Sequence, residues 1–209
     1  LVREAQAAAR VEHENIIAIH EVATVDDHVF VVMELVDGED LATIGSVGGL
    51  GEGEQIYAAR FIGTQAYVVT FRQTDPFYVV DLSDPTNPVV KGQLKIPGYS
   101  GYLHSVGDGL VLGIGQNGND DGNLLGLKAT LFDVSDPGSP TELGTWIYGG
   151  DRYSSSGIEY DRKAFLWWAE DSLAAVPVND YDSGFNGVVL LRVTPEGITE
   201  FGRIDVLVN

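Results

Sequence analysis

The 209-residue chain contains no cysteine. Disulfides, thiolate metal sites and a cysteine nucleophile are therefore excluded. Positive charge is scarce: 12 Lys and Arg stand against 31 Asp and Glu, a formal net charge of −19. Such a surface repels phosphate backbones and anionic lipids, so nucleic acid is not expected as a partner. Divalent cations and basic proteins are easier to accommodate, and a solvated surface kept soluble by repulsion is the simplest reading of the charge. No apolar run has the length of a membrane span. The chain starts at Leu1 without a charged-then-apolar leader, so no signal peptide is expected within it. The first lysine is Lys91. There is no Gly-x-x-x-x-Gly-Lys-[Ser/Thr] phosphate loop and no Gly-x-Ser-x-Gly nucleophile elbow.

What is present is a globular composition, 44% hydrophobic, with 26 glycines and 8 prolines that call for many turns. The opening stretch, LVREAQAAARVEHENIIAIHEV (1–22), reads as a helix over Glu4 to Val11, because alanine and long unbranched side chains lose little freedom there. Ile16 to Ile19 and Val29 to Val32 are β-branched runs suited to two strands, with Asp26-Asp27 as the turn between them. VVMELVDGEDL (31–41) follows. Together these residues resemble the middle of the small lobe of bacterial Ser/Thr protein kinases. The resemblance implies that Glu4 matches the helix glutamate that pairs with a catalytic lysine. It also implies that Met33 lies at the back of a nucleotide pocket and that Glu34 to Val36 form an adenine-facing hinge. Phosphoryl transfer further needs that lysine, a Gly-rich loop ahead of it and magnesium-binding carboxylates. Glu4 has no lysine partner, GSVGGLGEG (45–53) comes after the hinge, and no His-Arg-Asp or Asp-Phe-Gly occurs. Enzymatic activity is therefore not expected.

From residue 42 onward short strands are cut by regular turns. FYVVDLSDPTNP (77–88) recurs as ATLFDVSDPGSP (129–140), with Asp81 and Asp133 separated by 52 residues; VVLLRVTPEG (188–197) is a weaker third copy. A period near fifty with several strands per repeat points to propeller blades. The first unit offers strands at 56–61, 66–71, 77–82 and 89–96. The second offers 102–106, 110–114, 127–134 and 143–148. The third offers 157–160, 164–168, 173–178 and 188–193, with 198–204 as a final outer strand. Residues 41–47 then read as the outer strand of a blade whose inner strands are missing. The expected fold is mainly β: an incomplete β-propeller of about three four-stranded blades, preceded by a short helix and two strands.

QIYAARFIG (55–63), AYVVTFRQTDP (66–76), LKIPGYS (94–100), LGIGQ (112–116) and LFDVSD (131–136) are similar to one bacterial and archaeal family. It is the family of secreted proteins with a C-terminal β-propeller domain. The resemblance implies a secreted or cell-envelope location and carries no catalytic residues. Two segments are thus expected, 1–41 kinase-like and 42–209 partial propeller. They meet without the Pro-, Gly- or Ser-rich linker that usually joins domains, which suits a chimeric, misassembled or truncated chain. The functional expectation is a non-enzymatic binding or interaction module fused to an inactive kinase-like segment. The alternative is a remnant of a Ser/Thr kinase or kinase-linked regulator.

NGNDDG (117–122) fits the oxygen-ligand pattern of calcium loops, with Asn117, Asn119 and Asp121 as ligands and Gly122 at the turn. A polar loop between two blade strands is the competing reading, and calcium is the sole cofactor that the sequence suggests. NDYDSG (179–184) is a weaker second loop. His104 reads as a satisfied interior histidine. Trp146, Trp167 and Trp168 read as filling space between blades, with a sugar-stacking platform as the alternative. Three blades cannot close a ring, so Ile56 to Phe61 and a face lined by Phe165, Trp167 and Leu191 are expected to stay open and to promote self-association.

Overall fold

A computed structural model of the chain describes residues 42–71, 75–119, 123–149 and 153–206, with the backbone alone of 19–25, 28–33 and 75. The chain divides into two compact units, Leu1–Thr43 and Ile44–Asn209.

In the first unit, β1 (Ile19–Val25) and β2 (His28–Met33) form an antiparallel hairpin that pairs Val25 with His28. Both expected strands are present, over Ile19–Val25 and His28–Met33, whereas residues 16–18 and the expected turn at 26–27 lie outside the described residues. The expected helix over 4–11 lies outside the described residues, as do Glu4, Glu34 and Val36. Met33 ends β2.

The second unit holds three antiparallel sheets. The first contains β3 (Gln55–Ile62), β4 (Gln65–Phe71), β5 (Asp75–Asp81) and β6 (Val89–Ile96), in sequence order across the sheet. The second contains β7 (Tyr99–Gly107), β8 (Leu110–Gly118), β9 (Leu124–Asp133) and β10 (Thr141–Ile147), again in order. In the third, β13 (Leu173–Asp180), β14 (Asn186–Thr194) and β15 (Gly197–Asp205) follow one another. Its innermost position is shared by two short pieces, β11 (Ser154–Ser155) and β12 (Leu166–Trp168), both paired with β13. Each sheet is one blade, and the sheets do not close into a ring.

Local chemistry sets the turns. Asp108 and Gly109, at φ 47° and 74°, make the two-residue hairpin between β7 and β8; both central residues of such a turn need positive φ. After β5 and β9 the chain makes two successive Asx turns. Asp81 Oδ1 accepts from the Ser83 N–H at 2.9 Å and Asp84 Oδ1 from the Thr86 N–H at 3.0 Å. In the repeat, Asp133 Oδ1 accepts from the Ser135 N–H at 2.9 Å and Asp136 Oδ1 from the Gly138 N–H at 3.0 Å. The repeated Asp-x-Ser-Asp-Pro is thus a self-bonding corner: short acidic side chains satisfy the backbone where the ladder stops.

The middle blade is buried on both faces, as period-2 side-chain alternation between two neighbours requires. Val111 and Phe132 join Tyr67, Val69, Phe77 and Val79 of the first blade. Leu112 and Leu131 join Val176, Val189 and Leu191 of the third. The rings of Phe77 and Phe132 stack across the first interface at 4.4 Å and 12°.

Three expectations fail locally. Residues 157–160 are not a strand: Gly157–Glu159 is a 3-10 helix, with the Ser156 hydroxyl accepting from the Ile158 N–H at 3.4 Å. A capping serine followed by glycine offers the backbone a local turn in place of a ladder. Residues 42–49 form no strand either, though Val47 and Leu50 pack on Ala66, Val68, Tyr78 and Val80 of the first blade. Finally, Phe165, Trp167 and Leu191 point into the interface with the second blade. The open face carries their neighbours in register instead, Leu166 and Trp168, which are 56% and 53% exposed.

Candidate functional site at the inner strands

The first strands of the first two blades, β3 and β7, run beside each other. Where β11 stops, the chain leaves the third blade for an insertion that reaches these strands. Gly157–Glu159 and a second 3-10 helix, Arg162–Ala164, build it. The Asp161 side chain caps the second helix by accepting from the Lys163 N–H at 2.9 Å. Glu159 fastens the insertion to the middle blade: its two carboxylate oxygens accept from the Tyr99 hydroxyl at 2.6 Å and the Gln116 Nε2 at 2.9 Å. Burial, reinforced by the bond to Glu159, pushes the Tyr99 hydroxyl far above its ordinary value, so it remains a donor.

Between β3, β7 and the insertion lies a cavity of about 330 Å³. Arg60 and Tyr57 enter it from β3, Tyr102 from β7, and Glu159, Tyr160 and Arg162 from the insertion. Among the described residues, no ion pair or side-chain hydrogen bond occupies Arg60 or Arg162, and the Arg60 Nε is buried without a partner. Behind the wall, the Tyr102 hydroxyl and His104 Nδ1 lie 3.0 Å apart, and both rings lean on Phe165. Burial, then the Arg60 charge, lowers the His104 pKa and favours its neutral form. Burial raises that of Tyr102, against the opposing pull of Arg60 and Arg162. His104 is thus hydrogen-bonded, as the sequence suggests, but half-buried and not interior.

The residues singled out in the sequence lie elsewhere. Asn117 pairs with Gly126 at the end of β8. Asn119 closes the following loop: its N–H donates to the Asn123 carbonyl at 3.0 Å and its Oδ1 accepts from the Asn123 N–H at 2.9 Å. Asp121 lies outside the described residues. In the second acidic loop, Asp180 accepts from the Asp182 and Ser183 N–H groups at 2.9 and 3.0 Å and from the Ser183 hydroxyl at 2.5 Å. That carboxylate shapes a turn. Nearby, Ser154 Oγ accepts from the Leu127 N–H at 3.0 Å, which ties β11 to the middle blade. Trp146 and Trp167 are half-buried against the core, whereas Trp168 is on the open face. There, with Leu166, Leu173 and Leu190, it lines an apolar hollow of about 280 Å³.

The cavity residues were missed in the sequence. The available signal was Arg60, the single cation in the apolar strand QIYAARFI. Glu159 belongs to a segment read as strand and Arg162 to the gap after it, and no local pattern connects them to residue 60.

A family model described as a beta propeller domain matches residues 11–208. The chain belongs to the beta-propeller domain family. The match runs through most of the segment that resembles a kinase lobe, so residues 11–41 are continuous with the propeller match. Over 132 residues the domain is 47% identical to an uncharacterized protein of Methanocaldococcus jannaschii, covering 61% of this chain and 19% of that protein. Over 151 residues it is 42% identical to an uncharacterized protein of Archaeoglobus fulgidus, covering 72% of this chain and 22% of the other. The chain therefore spans about a fifth of the length of these curated relatives. A crystal structure of a protein from Lactobacillus plantarum superposes with a TM-score of 0.53 at 14% identity, over 90% of this chain and 50% of that one. At that identity the likeness concerns the fold alone.

Proposed function

We propose that this β-propeller segment is a non-enzymatic binding module whose ligand enters the cavity at the inner strands. The observation that carries this reading is the cavity itself. Side chains from two blades and an insertion of the third converge on about 330 Å³ of space, at the lower end of the range for small-molecule sites. Donors and aromatic faces line it, and Glu159 has both oxygens engaged in holding the insertion. A secreted or envelope location belongs to the same proposal and rests on the family resemblance of residues 42–209. In this reading the kinase resemblance of residues 1–41 has no phosphoryl-transfer chemistry behind it, since Glu4 has no lysine to pair with.

The test is a fragment screen by NMR on the 209-residue chain. Compounds that shift the Tyr57, Tyr102 and Tyr160 resonances, and that are recovered chemically unchanged, are the expected result. Turnover of such a compound would overturn the non-enzymatic part; hits confined to other surfaces would overturn the cavity as the site.

A further inference from the structure

Resting on the reading of the cavity as a binding site, we infer that its ligand is an organic monoanion held through a carboxylate by Arg60 and Arg162. The first ground is charge in context. The chain carries −19 overall, so a cation should readily find a carboxylate. Lys91 pairs with Asp81 at 3.2 Å and Arg203 with Glu200 at 2.6 Å. Arg192 donates to the Asp171 carbonyl at 3.1 Å and lies over the Phe201 ring. Arg60 and Arg162, like the exposed Lys95 and Lys163, have no such partner among the described residues, but these two arginines share one cavity.

The second ground is shape: the planar guanidinium fork of an arginine matches a carboxylate in two parallel bonds. Third, charge balance sets the valence. Two guanidiniums and the single carboxylate of Glu159 line the cavity, leaving one positive charge. A monoanion neutralises it; a phosphate dianion would overshoot, against Glu159 and the field of the whole chain. Fourth, the phenol rings of Tyr57, Tyr102 and Tyr160 offer flat faces for the rest of the ligand. This favours a carboxylate carried on a ring over a bare inorganic anion.

The decisive comparison uses two probes of equal shape, phenylacetate and neutral phenylacetamide, with inorganic phosphate as a third. Titrations follow the arginine Nε–H and tyrosine ring resonances of the full chain. Phenylacetate is expected to shift the Arg60 Nε–H and to bind roughly tenfold or more tightly than the amide, the usual margin of a charge-assisted hydrogen bond. Phosphate should bind more weakly than phenylacetate. Arg162→Gln, at an exposed position that leaves the core intact, should lower phenylacetate affinity by a similar factor, while Lys163→Gln next to it should not. Equal binding of acid and amide at the cavity, or tighter binding of phosphate, would overturn the carboxylate assignment and leave the cavity as the binding site. Shifts by none of the three at the cavity would overturn both.

Discussion

Asp180 shows how one side chain can terminate a strand. It is buried at the end of β13, and three donors converge on its carboxylate from the next turn. The Ser183 hydroxyl is the largest cause that holds its pKa down at about 2, with the Ser183 and Asp182 N–H groups adding to it. Asp81 is also held at about 2, chiefly by Ser83, and Lys91 contributes. Asp84 and Asp133 are lowered by Thr86 and Ser135. An unfolded aspartate titrates near 3.9, so these folded-state values lie below the unfolded one. The stabilisation is then fully present above about pH 4 and is lost as pH falls through about 2. We predict that urea midpoints measured from pH 6 to pH 2 stay level and then drop below pH 4. Asp180→Asn should start lower at pH 6 and fall less steeply. A parallel curve for the variant would mean that Asp180 does not contribute to the acid limb. The sequence exposed the turn role of the Ser-Asp-Pro corners, because their hydrogen bonds are local. Nothing in one dimension shows that Asp81 and Asp133 also turn back to accept from the N–H of the serine two residues on.

At the scale of strands, glycine marks where one blade meets the corner of the next. A Cβ on Gly92 in β6 would come within 2.5 Å of the Pro137 carbonyl oxygen and 2.7 Å of Pro140. One on Gly45 would meet the Pro85 oxygen at 2.1 Å and Pro88 at 3.0 Å, which is the same corner one repeat earlier. Residues 42–49 thus sit where the fourth strand of a preceding blade would run, without forming the ladder that the sequence suggested. In the third blade, a Cβ on Gly202 in β15 would meet nothing within 4 Å. We predict that Gly92→Ala destabilises the chain by about 1–3 kcal/mol, the usual range for overpacking. Gly202→Ala should be neutral or stabilising by up to about 1 kcal/mol, because it restricts the unfolded chain at no steric cost. Denaturant midpoints compare the two directly; equal losses would refute the corner-seat argument. The strand periods were legible because each blade alternates with period 2. The parity of β12 and β14 was not: a one-residue shift moves a whole set of side chains to the other face. Which face meets the middle blade depends on contacts across the sheets, not on the pattern within one strand.

For the propeller unit as a whole, the third blade presents Leu166, Trp168, Phe201 and Ile204 on the side away from the middle blade, each more than half exposed. On the first blade, Ile56 and Phe61 are 66% and 68% exposed. Open apolar surface of this kind favours association, and the −19 charge opposes it. The balance depends on salt. At 0.1 M the Debye length is about 10 Å and repulsion between copies acts across a contact; at 1 M it shrinks to about 3 Å and the apolar term prevails. We predict a chain that is monomeric at low salt and associates progressively as salt rises, read by light scattering at fixed protein concentration. Trp168→Glu, an exposed substitution that adds charge to the apolar hollow, should move the onset to higher salt. Tyr181→Glu, exposed but away from that hollow, adds the same charge and separates the local effect from the global one. Should both variants shift the onset equally, net charge alone would govern association and the open face of the third blade would have no part in it. A sharp monomer at every salt concentration would remove the premise that the exposed apolar faces are sticky at all.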